Sequence, residues 1–376
     1  MARRRRQLGG IDRLPSGRYR VRLTDPSSGE RISLGTYAVK ADAEKAFARA
    51  LTEQARGTWV SPDAGKATLA AYSTHWLESR LTKGGSGLRP RVRELYEGQL
   101  RLHILPKLGD LALGQLRTAT VRSWYTAMVK SGPGASTTAK CYRLLRAILN
   151  TAVEDGLLAV NPCTIRGAGA EPAEEREIPT IPQVYELANA VEPRYRALVL
   201  LAAFGGLRRG ELFGLKRAHV DLVQARVSVE VQRQQLADGS HIIGPPKSDA
   251  GRRTVSIPAE GLEPLREHLA RWTGPDAESW VFIGSKGGPL RDGVWHQEWD
   301  RARQQIGLPE LHFHDLRHVA ATLTAATGAG VKEIMHRLGH ASSEAALRYQ
   351  HATPARDRAI AEAISRLIRA AGASAK

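Results

Sequence analysis

The chain has 376 residues, of which 42% are hydrophobic, and a formal net charge of +17 at pH 7. This length allows two or three domains, and no apolar run reaches the roughly 18 residues of a membrane span. The N-terminal MARRRRQLGG carries charge without an apolar segment behind it, which is not the pattern of a secretory signal. Cys141 and Cys163 are too few for a disulfide framework or a cysteine-rich zinc site. We therefore expect a cytoplasmic protein with no membrane partner.

The positive charge is concentrated in the first part of the chain. Residues 1–166 hold 28 Lys and Arg against 13 Asp and Glu, whereas residues 167–376 hold 27 against 25. A basic block indicates a polyanionic partner, and nucleic acid is favoured over an anionic membrane because no strongly amphipathic basic helix is present. A role in solubility alone stays open at this point.

Residues 11–57 have the pattern of a small separate unit. The elements predicted there are a strand over 18–23, a turn over 25–30, a second strand over 32–37 and a helix over 41–56. In the first strand, apolar residues alternate with Arg18, Arg20 and Arg22, which gives the strand one basic face. Such a unit either enters a DNA groove or is an ordinary hairpin with a basic solvent face.

Residues 67–160 are predicted to be helical because apolar residues recur every three to four positions. The predicted helices are Thr68–Arg80, Arg89–His103, Thr118–Lys130 and Thr137–Glu154. Their apolar stripes form a core, and basic side chains occupy the other faces, as a clamp over a duplex backbone would require. The candidate DNA contacts of the whole basic block are Arg18, Arg20, Arg22, Arg89, Arg91, Arg93, Lys140 and Arg143.

A boundary at Gly156–Pro179 precedes a longer region of helices with a few strands. The strands predicted there are Arg226–Val231, His241–Ile243 and Arg253–Ile257. The predicted helices are Pro182–Val191, Tyr195–Phe204, Arg209–Leu215, Gly261–Trp272, Asp292–Ile306, Asp315–Thr327, Val331–Leu338, Ser343–Tyr349 and Asp357–Ala370. The pattern as a whole predicts a mainly α fold with small β elements, in three domains over 1–60, 67–162 and 176–376.

Two groups of residues in this region have the chemistry of a phosphate site. In GGLRRGEL, Glu211 follows Arg208 by three residues and can hold its guanidinium, although a surface ion pair is the alternative for this motif alone. In HDLRH, His314 and Arg317 share one helix face, with an ordinary helix start as the alternative. An arginine matches two phosphate oxygens, and an imidazole transfers protons near neutral pH.

His340 in RLGH and Tyr349 follow within a short distance along the chain. A phenolic oxygen can attack phosphorus, so the combination predicts covalent chemistry on a phosphodiester with no cofactor. Lys247 in GPPKSDAGRRTVSIP is predicted to lie on a hairpin, from which it can protonate a leaving 5′ oxygen or simply be exposed. Six histidines between His312 and His351 suggest a metal, but no HExxH spacing or cysteine partner accompanies them, and Arg317 repels cations. We predict no metal.

The order of these motifs resembles the tyrosine recombinase, or phage integrase, family. The resemblance covers roughly residues 178–355, where it rests on GLRRGEL, the lysine, HDLRH, RLGH and Tyr349. Residues 67–160 are similar to the family's helical core-binding (SAM-like) domain, and residues 11–57 to the arm-type DNA-binding domain of lambda-like integrases. The resemblance implies a small β-sheet-plus-helix arm-binding domain, a helical core-binding domain and a mixed α/β catalytic domain that clamp DNA.

The resemblance also implies a role for each site residue. Tyr349 is the nucleophile that leaves a 3′-phosphotyrosine, while Arg208 and Arg317 bind the phosphate oxygens. The remaining roles implied are general acid for Lys247, proton handling near the tyrosine for His314, donation to a phosphate oxygen for His340 and support of the arginine for Glu211.

The implied function is a site-specific DNA recombinase that integrates, and in reverse excises, a phage or other mobile element. The implied partners are double-stranded attachment sites, three further copies in a homotetramer, an excisionase and a host DNA-bending protein, at the nucleoid. A type IB topoisomerase and a catalytically silent DNA-binding regulator are the alternatives. The apolar stripe Ile360, Ile364, Leu367 and Ile368 of the last predicted helix docks either on a neighbouring protomer or on its own domain.

Overall fold

The computed structural model describes residues 8–25, 29–56, 59–61, 64–82, 84–171, 177–246 and 249–349, with eight further positions between 358 and 369. The chain divides into two compact units, Met1–Glu174 and Glu175–Lys376. Three domains, with the first unit split into arm-binding and core-binding parts, remain a prediction. No helix in the described ranges has both the length and the apolar character to cross a membrane.

The first unit begins with a three-stranded antiparallel sheet and one helix. Its elements are β1 (Gly9–Arg13), β2 (Tyr19–Thr24), β3 (Arg31–Tyr37) and α1 (Lys40–Ala55), with strand order β1-β2-β3. Val21 and Leu23 on β2 are fully buried, as is Ala43 of α1, so the helix and this face of the sheet form one small core. The arginines of β2 alternate with these apolar residues, as predicted. β1 was not predicted, because GGIDR has little alternation and becomes a strand by pairing with β2.

The rest of the first unit is helical. Its helices are α2 (Leu69–Ser79), α3 (Pro90–Gln99), α4 (Leu105–Leu108), α5 (Thr118–Ser131) and α6 (Ala135–Glu154). Their apolar faces share one core that includes Trp76, Trp124 and Leu145. The single helix predicted over 89–103 instead passes into a π-helical turn at Leu100–Ile104. Pro106 lacks an N–H for the regular α-helical bond, and a wider turn just before it adjusts the hydrogen-bond ladder.

The second unit combines helices with two small sheets. Its first elements are α7 (Ile181–Ala190), α8 (Arg196–Phe204), α9 (Arg209–Phe213), β4 (Val220–Asp221), β5 (Arg226–Val229), β6 (Gln232–Gln235), β7 (His241–Gly244) and β8 (Arg253–Ser256). The remaining helices are α10 (Ala259–Arg271), α11 (Asp292–Gln305), α12 (Asp315–Ala326), α13 (Val331–Leu338) and α14 (Ser343–Leu347). α8 is buried along its length from Ala197 to Phe204 and forms the centre of the core.

Strand pairing in the second unit corrects one expectation. β5 pairs with β8 and β4, whereas β6 has β7 as its sole strand partner within the described ranges. The hairpin is therefore β6–β7, and the segment that carries Lys247 connects two different sheets instead of turning between paired strands. The predicted strand Arg226–Val231 also ends at Val229, and β6 was not predicted because QRQQ has no apolar alternation. Lys247 itself lies outside the described residues.

The last predicted helix is described only in part. Positions 358, 361–362, 364–366 and 368–369 are helical, and Ile364 and Ile368 are exposed. Ile360 and Leu367, the other members of the apolar stripe, lie outside the described residues. Docking of this helix on a neighbouring protomer or on its own domain therefore stays a pair of hypotheses.

Candidate active site

A buried carboxylate at the start of α9 is the centre of the site. Glu211 is 3% exposed, and its oxygens accept hydrogen bonds from the Arg208 side chain at 2.8 Å and the Arg208 backbone N–H at 2.9 Å. Arg253 on β8 donates two more to the same carboxylate, at 2.9 and 3.1 Å. Burial alone raises the pKa of Glu211, but hydrogen bonds and charge from Arg253 and the charge of Arg208 outweigh it and lower the pKa.

Arg253 was not among the predicted site residues. Its guanidinium is buried and also donates to the carbonyls of Arg337 at 2.9 Å and Gly251 at 3.1 Å, so it links β8 to the end of α13. One feature of the sequence indicated it: Arg253 lies on the same face of the strand as Val255 and Ile257, which are buried. A charged residue at an inward strand position needs a buried partner, and that partner is Glu211.

Main-chain oxygens hold the other cation of the site. Arg317 on α12 is buried and donates to the carbonyls of Gly206 and Leu338. Arg208 also donates to the carbonyl of Gly339, at 2.7 Å. Gly206 and Gly339 have φ angles of +66° and +62°, a left-handed conformation that glycine adopts without steric cost. Two guanidinium groups thus bind one carboxylate and a third lies within reach of its charge, so the cluster keeps a net positive charge.

The two predicted histidines are close to these cations. His314 lies immediately before α12 and His340 immediately after the Gly339 turn that ends α13. Burial, followed by the charge of Arg317, lowers the pKa of each imidazole to about 4. Both rings are therefore neutral at pH 7.

Tyr349 lies two residues beyond α14 and is half-buried. Its hydroxyl is hydrogen-bonded to Nδ1 of His318, and the two ring centroids are 5.8 Å apart. Burial raises the pKa of Tyr349, while the charges of Arg317 and Arg348 act in the opposite direction. His318 was not predicted as a site residue, although its place one turn beyond His314 on the same helix was a signal that could have identified it.

Burial and the repulsion from Arg208 lower the pKa of Arg317 to about 9, which still leaves this guanidinium charged at neutral pH. An anion in the pocket would relieve that repulsion. Among the described residues, no group of three or more His, Cys, Asp and Glu side chains has the arrangement of a metal site. The arrangement is suited to binding a phosphate through cations, beside a tyrosine whose hydroxyl is hydrogen-bonded to an imidazole.

The candidate DNA contacts belong to the first unit and are not part of this cluster. Several have carboxylate partners: Arg20 and Arg22 with Asp12, Arg91 with Glu94, Arg93 with Glu97, and Lys140 and Arg143 with Glu171. Arg18 donates to the carbonyl of Thr36 at 3.2 Å, and Arg89 lies at the start of α3. Their contact with DNA remains a prediction.

This fold and this set of side chains define the class of tyrosine-type DNA recombinases. The phage integrase family model matches residues 174–356. A putative prophage phiRv2 integrase from Mycobacterium tuberculosis is 36% identical over 373 residues, which cover 97% of each chain. The integrase of Mycobacterium phage L5 is 35% identical over 96% of this chain and 98% of its own. The chain belongs to the phage integrase family and is a site-specific recombinase.

Solved structures confirm the predicted fold class. A Tn1549 transposon integrase in complex with a circular intermediate DNA matches with a TM-score of 0.66 and 19% identity, over 78% of this chain and 98% of its own. A lambda integrase dimer bound to a COC′ core site matches with a TM-score of 0.57 and 21% identity, over 93% and 97%. The integrase relatives of 35–36% identity do not favour the topoisomerase and silent-regulator alternatives.

Proposed function

We propose that this recombinase integrates a phage genome at DNA attachment sites, with Tyr349 as the nucleophile. The observation that carries the proposal is the position of the Tyr349 hydroxyl, which is hydrogen-bonded to an imidazole and lies close enough to the buried guanidinium of Arg317 to feel its charge. No described carboxylate besides Glu211 is paired with Arg208 or Arg253, and Arg317 is held by carbonyls. The cluster therefore has positive charge to offer a phosphate.

The proposed reaction is a pair of transesterifications. The Tyr349 oxygen attacks the scissile phosphorus, the P–O5′ bond breaks, and a 3′-phosphotyrosine forms. Arg208 and Arg317 stabilise the charge that develops on the phosphoryl oxygens, and Lys247 gives a proton to the departing 5′ oxygen. A 5′ hydroxyl of the partner strand then attacks the phosphotyrosine. Because one phosphoester replaces another at each step, the rejoining needs no ATP.

The supporting groups fit this scheme. Glu211 holds Arg208 in place through two hydrogen bonds. His340 is neutral at pH 7, and its Nδ1 is buried without a hydrogen-bond partner among the described residues, a group that polar contact with a bound substrate can satisfy. His314 completes the polar lining beside Arg317.

The assembly and its setting are also part of the proposal. A lambda integrase tetramer bound to a Holliday junction matches this chain with a TM-score of 0.56. We infer a homotetramer on double-stranded attachment sites for this protein, which an excisionase and a host DNA-bending protein would direct. The basic residues of the first unit would contact the arm and core sequences, in the cytoplasm at the nucleoid.

Covalent trapping tests the proposal. The full chain is incubated with fragments that span the junctions between its mobile element and the host chromosome, each carrying a nick near the exchange point so that cleavage is irreversible. We expect a denaturation-resistant protein–DNA adduct with wild type and none with Tyr349→Phe. Equal adduct with Tyr349→Phe, or no adduct with wild type on any junction fragment, would contradict the assignment.

A further inference from the structure

The hydroxyl of Tyr349 has a partner that is not among the predicted site residues. Nδ1 of His318 is hydrogen-bonded to it, and the planes of the two rings are inclined by 39°. His318 lies on α12 directly after Arg317, with its imidazole half-buried between the helix and the segment that follows α14. The imidazole therefore touches the atom that would attack phosphorus.

We propose that His318 is the general base that takes the phenolic proton of Tyr349 as the tyrosine attacks phosphorus, a role that the motif pattern gives to His314. The inference deepens the proposed function and rests on it. A neutral imidazole carries its hydrogen on one nitrogen, so acceptance at Nδ1 requires the hydrogen to be on Nε2. Imidazole is the side chain most often used for such a transfer.

The two histidines of HDLRH have different surroundings. The His314 and His318 rings meet edge to face, with centroids 5.6 Å apart. His314 lies on the side of Arg317 and Arg208, where positive charge opposes the uptake of a proton. His318 faces the phenol instead. Among the described residues, the charged and titratable groups that act on His314 or Tyr349, the two neighbours of the His318 ring, include Arg317 and Asp315 on α12, Arg208, and Arg348 on the segment after α14.

The proposed step is balanced. The O–H bond of Tyr349 breaks as its proton moves to Nδ1 of His318, the tyrosine oxygen forms a bond to phosphorus, and the P–O5′ bond breaks. The 5′ oxygen takes a proton from the general acid, for which Lys247 is the candidate. In the rejoining step the attacking 5′ hydroxyl loses its proton to that same group, and His318 returns its proton to the tyrosine oxygen as it leaves.

The test measures the rate of adduct formation by the full chain on the nicked junction duplex used above. The variants are His318→Ala and His318→Gln, with His336→Ala on the exposed side of α13 as the matched control. Loss of a general base costs on the order of 100-fold or more in rate, so both His318 variants should be slowed to this degree while the control matches wild type. Glutamine can donate to or accept from the phenol but cannot take its proton, so a normal rate with His318→Gln would overturn the proposal.

Two further measurements separate proton transfer from a structural effect. The first uses a substrate in which sulfur replaces the bridging 5′ oxygen of the scissile phosphate. A thiolate leaves without being protonated, so this substrate should restore the cleavage rate of a variant that lacks the general acid, but not of one that lacks the base. His318→Ala should stay slow on this substrate. Its rate should also rise about tenfold per pH unit below the tyrosine pKa, as the phenolate fraction does, whereas wild type levels off.

These results distinguish failure of the His318 proposal from failure of the proposed function. Recovery of His318→Ala on the sulfur substrate, or an unchanged pH profile, would show that His318 is not the base. If His314→Ala, and not His318→Ala, stayed slow on the sulfur substrate and showed the tenfold rise in rate per pH unit, His314 would be the base. A wild-type protein that forms no adduct would instead overturn the proposed function, whatever the His318 variants do.

Discussion

Two ion pairs, one from each unit, differ in burial, and the difference shows two ways in which this chain uses charge. On α3 of the first unit, Arg93 and Glu97 are joined at 2.9 Å with about half of each side chain exposed, at 45% and 50%. In the second unit, Arg253 and Glu211 are joined at the same distance with 1% and 2% exposed. An exposed pair contributes little to stability and exchanges partners readily. A buried pair is fixed, because either ion left alone in the interior is costly.

Glu171 illustrates the first kind. Hydrogen bonds from Ser136, followed by those from Arg143 and Lys140, lower the pKa of this exposed carboxylate to about 2. Glu171 is thus paired with Lys140 and Arg143 of α6, two cations that are predicted to contact DNA. If α6 contacts DNA as predicted, a phosphate would compete with this exposed carboxylate, whereas removal of Glu211 would leave Arg253 buried without its partner. The Glu171 pair is therefore suited to exchange, and the Glu211 pair to holding one arrangement.

The largest expected effect is on stability. Glu211→Ala leaves Arg253 buried without its carboxylate, which should lower the free energy of unfolding by about 3–5 kcal/mol. Chemical denaturation measures it, with Glu97→Ala as the exposed control, expected to change stability by less than about 1 kcal/mol. If both variants lose the same stability, the contrast between the two kinds of pair is wrong.

The next effect is on rate. Arg317→Lys keeps the positive charge but removes the planar guanidinium. Lysine cannot donate to the carbonyls of Gly206 and Leu338 and at the same time bind two phosphate oxygens. Adduct formation should fall by about 10²–10³, the usual cost of one lost transition-state contact. Arg209→Lys is the control, because Arg209 is exposed and paired with Asp292 at 3.1 Å. A comparable loss with Arg209→Lys would place the phosphate elsewhere.

A smaller effect concerns pH. His340 has a pKa of about 4 when folded, so between about pH 6.5 and pH 4 the unfolded chain binds a proton there that the folded chain does not. The contribution of His340 to stability should therefore fall as the pH is lowered through this window and level off below it. Urea midpoints at pH 7.5, 6 and 5 should show a weaker pH dependence in His340→Gln than in wild type. An equal dependence would mean that His340 titrates normally.

The smallest effect belongs to the exposed surface. Arg143→Ala should leave the free energy of unfolding within about 0.5 kcal/mol of wild type, as surface changes do. It should weaken binding to all DNA sequences alike and reduce the slope of log affinity against log salt by about 1. Glu171→Gln should act in the opposite direction and tighten binding, because it removes the competing carboxylate. Unchanged binding in both would remove this face of α6 from the DNA contacts.

The helices and the family motifs were predictable because their signals are local. GLRRGEL, HDLRH and RLGH each lie within one helical turn of an element boundary, so short patterns identify them. Arg253 and His318 were missed because their partners are distant along the chain: Glu211 is 42 residues before Arg253, and Tyr349 is 31 residues after His318. No local pattern distinguishes an arginine that will be buried against a carboxylate from one that will face solvent.

The strands show the same limit. β2 was predicted from its own alternation, whereas β1 and β6 are strands because a neighbour supplies the ladder. The prediction of a hairpin around Lys247 was wrong for a related reason. β7 pairs with β6 and β8 with β5, and contacts between distant elements decide this pairing. Chain order placed Lys247 between two strands correctly, but it did not reveal that they belong to different sheets.

The left-handed glycines decide how this site tolerates change. Arg317 and Arg208 are anchored in part by carbonyls, which no substitution removes, so altering the side chain of Leu338 leaves its oxygen in place. A Cβ at Gly206 would come within 2.6 Å of Leu338, and one at Gly339 within 2.8 Å of the carbonyl of Ala250. Substitutions at these two glycines should therefore impair the site most directly, because one added methyl group there shifts the peptide that orients an arginine.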